Sequence, residues 1–105
     1  VARRQSGQDR RQMIEREAQR LLIKVPMVMA NARDLLEAGR SALQPGEQIF
    51  DLGQVATADS SAIAVMLGWL RVADRSRSTV RFAHVPPGVR SLAELYGVTE
   101  LLPLV

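Results

Sequence analysis

Length, composition and charge limit what this chain can be. Its 105 residues, 47% of them apolar, suffice for a single hydrophobic core and therefore for one globular domain. The absence of cysteine excludes disulfides, a thiolate nucleophile and cysteine-ligated zinc, and it suits a reducing compartment such as the cytoplasm. The net charge of +3 comes from residues 1–12, where four arginines oppose one aspartate, so the rest is neutral and we expect no nucleic-acid partner.

The first twelve residues, VARRQSGQDRRQ, are polar and show no apolar period. We therefore predict a disordered or loosely helical N-terminal extension at residues 1–12 and a folded domain over residues 13–105, beginning at Met13. No apolar run approaches the roughly 18–20 residues that a membrane-spanning helix needs, so we expect no direct membrane insertion.

Strand and helix signals then alternate along the chain. The run LLIKV predicts a strand at residues 21–25, and Asn31 is a plausible N-cap for a helix that ends before Pro45 and Gly46. A second strand at 49–52 leads to a helix at 60–74, and a third strand at 80–85 leads to a helix from Pro87 to about Tyr96. Residues 98–105 read as a short tail on the core. This order predicts an α/β domain whose sheet carries its helices mainly on one face.

The central stretch IFDLGQVATADSSAIAVMLGWL, residues 49–70, organises the rest. Asp59, Ser60 and Ser61 are good helix caps, because their side-chain oxygens accept hydrogen bonds from unpaired N–H groups of the first turn. The helix after them is apolar on two sides, and a chain of this size should cover only one side well. The core-facing stripe is Ile63, Met66, Leu67, Leu70 and Ala73, and the second stripe, the candidate interface, is Ala62, Val65, Trp69 and Val72.

The sequence offers few residues from which a catalytic or metal site could be built. His84 is the single histidine and has no cysteine or second histidine with which to bind a metal, so we interpret it as structural. Asp51 and Asp59 are better explained as acceptors for backbone N–H groups than as an acid–base pair. Trp69 is balanced between core packing and an interface anchor. We expect no enzyme activity, no metal and no cofactor.

Two segments carry a resemblance to a known family. The strand end Asp51-Leu52-Gly53-Gln54-Val55 and the helix start Asp59-Ser60-Ser61-Ala62-Ile63 resemble the paired motifs of STAS domains, which occur in anti-sigma-factor antagonists and anion-transporter tails. Gly53 stands where the family commonly has Ser, and Ala62 where it commonly has Gly. The resemblance extends from about residue 20 to the end, and it implies the small STAS-like α/β fold with a mixed sheet.

Within the family the chain is similar to the MlaB-like group, on the segments PMVMANARDLLEAGRSAL and LAELYGVTELLP. That similarity implies a non-catalytic accessory subunit of the ABC transporter that maintains outer-membrane lipid asymmetry. Such a subunit would lie in the cytoplasm at the inner membrane, bind the ATPase and contact the permease only indirectly. The implied partner-binding residues are Thr57, Asp59, Ser60, Ser61, Ala62, Val65 and Trp69.

The sequence leaves other functions open. Ser61 matches the serine that is phosphorylated in anti-sigma-factor antagonists, so a kinase-regulated signalling switch is the alternative to the transporter subunit. A domain that self-associates weakly through the second helix stripe is a third hypothesis.

Overall fold

The computed structural model describes residues 10–105. They contain one four-stranded sheet. The strands lie in the order β1, β2, β3, β4, with β1 antiparallel to β2 and the other two pairs parallel. Their bounds are β1, Ile14–Glu17; β2, Arg20–Ile23; β3, Gly46–Asp51; and β4, Ser78–Ala83. The sheet is therefore mixed, as the family resemblance implies.

A helix follows each of the last three strands. These are α1, Ala32–Ala42; α2, Ser61–Ser76; and α3, Pro87–Leu95; short 3-10 helices cover Arg10–Gln12, Met29–Asn31 and Thr99–Leu101. Over residues 10–105, none of the helices combines the length and the apolar character that crossing a lipid bilayer requires.

The strands alternate between buried and accessible side chains, because successive residues point to opposite faces of a sheet. The buried set faces the helices and contains Leu21, Ile23, Phe50, Val80 and Phe82. Residues between them, such as Arg20, Ile49 and Arg81, stay partly or fully exposed on the other face. The prediction of helices mainly on one face is confirmed.

Strand β1 was not predicted, because IERE has only one apolar residue and reads as a polar connection. Arg16 links this edge strand to β3 and α1. Its Nη2 donates to Oε1 of the buried Gln48 at 2.9 Å and to the carbonyl of Ala42, where positive charge suits the C-terminal end of α1. A charged side chain thus ties the edge strand to the helix layer.

Both ends of the described chain bond to the rest of the domain. Residues 10–12, the last part of the predicted extension, form a 3-10 helix in which Arg10 pairs with Asp34 at 2.8 Å. The rest of the predicted extension, residues 1–9, lies outside the described residues. The C-terminal tail docks as expected, because Phe82 N–H donates to Pro103 and Val105 N–H donates to Phe82, both at 2.9 Å.

Candidate partner-docking site

The loop between β3 and α2 begins at Asp51, which is held by three donors. Oδ1 accepts the Gly53 N–H at 2.8 Å and faces Nδ1 of His84 at 3.0 Å, and Oδ2 accepts from Arg20 at 2.7 Å. Burial by itself would raise the pKa of Asp51, but the Gly53, His84 and Arg20 contacts outweigh it and hold that pKa below its ordinary value. Asp51 is therefore an anchor for the loop, in line with its predicted bonding to backbone donors.

The middle of the loop pairs with the segment that follows β2. The N–H of Met27 donates to the Thr57 carbonyl at 2.9 Å, and the N–H of Asp59 donates back to the Met27 carbonyl at 3.1 Å. This short parallel bridge fixes the backbone on both sides of Ala58. Thr57 is consequently presented to solvent from a loop that backbone bonds hold in place.

Asp59 joins two helix starts. Its Oδ2 accepts the Met29 N–H at 3.1 Å, and its Oδ1 accepts the Ser61 N–H at 2.7 Å. These two backbone bonds lower the pKa of Asp59 below its ordinary value, with the Met29 bond the larger influence. Asp59 does the capping, while Ser60, in the N-cap position itself, makes no side-chain cap bond.

The two serines differ in exposure and in contacts. Ser60 is exposed, and Ser61 is half-buried, with its N–H donating to the Asp59 carboxylate. The predicted residues Thr57, Asp59, Ser60 and Ser61 therefore lie together at the start of α2. They form one polar surface, called the docking loop below.

The second stripe of α2 is not an exposed interface, and that prediction is wrong. Ala62, Val65 and Trp69 are at most 3% exposed on the side of α2 that packs against α1, and Val72, the fourth residue of the stripe, is half-buried. The Trp69 ring stacks on Phe50 with centroids 4.0 Å apart and planes 2° apart.

A close approach between the two helices makes this cover possible. The indole Nε1 of Trp69 donates to the Leu36 carbonyl at 3.2 Å, and a Cβ added at Gly39 would lie 2.1 Å from the same nitrogen. Because Gly39 has no side chain, α1 packs directly against the indole, and this short chain buries apolar residues on both sides of α2.

Two residues of the predicted core-facing stripe are less buried than expected. Leu67 and Leu70 are half-buried and lie at the edge of the core.

Apolar surface borders the docking loop, and the sequence analysis did not identify Met29 as part of it. Met29 is 77% exposed directly beside Asp59, but in the sequence it lies in a segment that reads as a connection to the first helix. Ala64, one turn into α2, is also exposed. A shallow cavity of about 210 Å³ next to it is lined by Ala32, Arg33, Leu36, Ala64 and Val65.

The exposed polar groups of the docking loop can donate and accept hydrogen bonds. Its carboxylate is already paired with backbone donors, and His84 contacts Asp51 and neither serine. Among residues 10–105, no three histidine or acidic side chains are grouped so as to hold a metal ion.

Comparisons with known proteins agree with this architecture. The family model described as "Mlab, STAS domain" matches residues 11–103. The chain belongs to the STAS domain family, in its MlaB-like group. No curated protein sequence matches the chain.

Solved structures show the same fold. One is a protein from Thermotoga maritima described as a "putative anti-sigma factor antagonist", 11% identical, with a TM-score of 0.66 over 87% of this chain and 82% of that one. Another is an anti-sigma-factor antagonist (STAS) domain protein from Planctomyces limnophilus, 23% identical, with a TM-score of 0.63 over 87% and 86%. At these identities the likeness concerns the fold of this STAS domain and not its partner.

Proposed function

We propose that this STAS domain is a non-catalytic accessory subunit of an ABC-type phospholipid transporter, which binds the ATPase subunit through its docking loop. The observation that carries the proposal is the fixed exposure of Ser60 beside Thr57, on a backbone held by Asp59 and by the bridge to Met27. The MlaB-like family match supports this class of partner. The domain would act at the cytoplasmic face of the inner membrane and reach the permease only through the ATPase.

A held loop favours binding because little conformational entropy is lost when a partner arrives. The Asp59 carboxylate bonds to the backbone of both the 3-10 helix at Met29–Asn31 and α2, so the two helix starts move as one unit. Ser60 can then offer a hydroxyl to the ATPase without first being ordered. Polar contacts of this kind fix the register of an interface.

Apolar neighbours of the docking loop would supply most of the burial. Met29 is flexible and strongly exposed, and Ala64 leaves room for an approaching side chain beside the cavity of about 210 Å³. Buried apolar contacts surrounded by polar ones are the usual composition of a protein interface. In this proposal Ala62, Val65 and Trp69 support α2 from within and do not touch the ATPase.

Co-purification with the ATPase of the same transporter tests the proposal. Ser60→Arg adds a long cation to the exposed centre of the docking loop, so we expect it to fold normally and to lose ATPase capture. Ser41→Arg is the matched control, because Ser41 is exposed near the far end of α1. Equal capture by the wild type and both variants would show that the interface lies elsewhere.

A second candidate is an anti-sigma-factor antagonist controlled by phosphorylation of Ser61. One solved neighbour is described as a "putative anti-sigma factor antagonist" and the other as an anti-sigma-factor antagonist (STAS) domain protein, and the Ser61 N–H donates to the Asp59 carboxylate at 2.7 Å. A phosphate there would set nearly two negative charges against Asp59, so it would open the docking loop and release a partner. Phosphorylated Ser61 in protein from its native host, together with a kinase that modifies it, would favour this function over the transporter subunit.

A further inference from the structure

A second cavity adjoins the docking loop on the side of α3. It has a volume of about 350 Å³ and lies between Ala56 and Ala58 of the loop and Gly88, Val89 and Leu92 of α3. All of its lining residues are apolar or glycine, so none of their side chains can form a hydrogen bond with an occupant. The cavity therefore suits an apolar group.

The topology places this cavity on the same edge of the domain as the docking loop. Strands β2, β3 and β4 are parallel to one another, so the segments that follow them leave the sheet at one edge. Those segments carry Met29, the docking loop and the start of α3. Ala56 and Ala58 are the chain neighbours of Thr57, so a protein that contacts Thr57 also faces the cavity.

A stable interface needs more surface than the docking loop provides. Specific protein–protein interfaces bury about 800 Å² on each partner, from roughly 20–30 residues. The docking loop with Met29 and Ala64 falls well short of that number, so an ATPase bound there has to cover adjoining surface. The residues that contribute most to binding are often large side chains that fill a pocket in the partner. The cavity is an apolar pocket of this kind beside Thr57.

We propose that the cavity receives one large apolar side chain of the ATPase, which anchors the complex beside the docking loop. The inference rests on the proposed function and adds a specific feature to it. The ATPase should present an exposed leucine or aromatic residue next to the polar groups that bond to Thr57 and Ser60. Ala56, Ala58 and Gly88 carry little or no side chain and leave the cavity open in the free domain.

Substitutions at Gly88 test the proposal because they fill the cavity from this chain. A Cβ at Gly88 would meet no atom within 4 Å, and Gly88 is not one of the glycines with a positive φ, so larger side chains should leave the fold intact. In isothermal titration with the purified ATPase, we expect affinity to fall from wild type through Gly88→Ala and Gly88→Leu to Gly88→Trp. The loss for Gly88→Trp should be at least about ten-fold.

Ser41→Leu and Ser41→Trp are the matched controls. Ser41 is exposed near the C-terminal end of α1 and does not line the cavity, so both variants add the same side chains and should bind like the wild type. Urea unfolding of each variant checks that it is folded.

Truncation of the anchor in the ATPase gives an independent measurement. Replacing that residue by alanine should weaken binding to the wild-type domain, and Gly88→Trp should then cost little more, because both changes remove the same contact. Additive losses for every apolar surface residue of the ATPase would contradict an anchor in the cavity.

Ser60→Arg separates this inference from the proposed function. Weaker binding by Ser60→Arg, with wild-type or tighter binding by Gly88→Leu and Gly88→Trp, would overturn the inference and leave the proposed function standing. The cavity would then be left to solvent, a small apolar ligand or a second copy of the chain. Wild-type affinity in Ser60→Arg and all Gly88 variants would overturn both. A graded loss at Gly88 with normal binding by Ser60→Arg would support the anchor and contradict the docking loop.

Discussion

The inner face of α2 and its N-terminal end were both candidates for partner binding, and the structure separates them. Ala62, Val65 and Trp69 are sealed by α1, whereas Thr57 and Ser60 stand at the surface on a firmly bonded loop. The difference shows that an apolar stripe in the sequence predicts burial but does not identify the element that buries it. Here that element is helix α1 of the same chain, which packs closely because Gly39 has no side chain.

Among these variants, Trp69→Ala should reduce the stability of the fold most, because it disrupts the packing between α2 and α1. It removes an indole that is 0% exposed, stacks on Phe50 and bonds to the Leu36 carbonyl. We expect the free energy of unfolding to fall by about 3–5 kcal/mol, as for other large aromatic truncations in cores. Urea unfolding followed by circular dichroism measures this loss.

Ser60→Arg is the control for that experiment. An exposed substitution away from packed groups should change the free energy of unfolding by no more than about 0.5 kcal/mol. A Trp69→Ala protein that unfolds at the same urea concentration as the wild type would contradict the assignment of Trp69 to the core.

Acidification should weaken the anchor of the docking loop. The pKa of Asp51 is lower in the folded chain than its ordinary value of 3.8, so its contribution to stability is present above about pH 4 and is lost as the pH falls through the folded pKa. Asp51→Asn lacks this titration. We therefore expect its urea midpoint, measured between about pH 5 and pH 2.5, to decline less steeply than that of the wild type. Parallel declines would mean that Asp51 is not held by its contacts with Gly53, His84 and Arg20.

The smallest change in stability is expected at the C-terminal end of α2, which belongs neither to the docking loop nor to the face packed against α1. Arg77 ends the helix with a φ of 57°, a conformation that glycine adopts at lower cost than other residues. Arg77→Gly should therefore stabilise the fold by about 0.5–1 kcal/mol. Arg75→Gly, inside the helix, removes the same side chain and should destabilise by up to about 1 kcal/mol. Destabilisation by both changes would contradict the left-handed conformation at Arg77.

Much of the fold could be predicted from the sequence because its signals are local. Apolar periods and turn residues located β2, β3, β4 and all three helices to within about three residues, and the polar cap Asp59-Ser60-Ser61 marked the start of α2. Strand β1 could not be found in this way. Its contacts are distant in sequence: Arg16 reaches Gln48 and Ala42 across more than twenty residues.

The candidate site was predicted in part for the same reason. Caps act within a few residues, so the serines and Asp59 were found, but the second bond of Asp59, to Met29, spans thirty residues. The packing of Trp69 on Gly39 is equally distant and depends on the path of α1. An apolar pattern predicts which residues will be buried, but only the tertiary structure shows which elements bury them.

Isothermal titration of the purified ATPase with wild type, Ser60→Arg and Ser41→Arg proteins tests the central claim most directly. The account predicts that Ser60→Arg weakens binding at least about ten-fold, or 1.4 kcal/mol, while Ser41→Arg binds like the wild type. Equal affinity of all three proteins for the ATPase, with each variant folded, would contradict it.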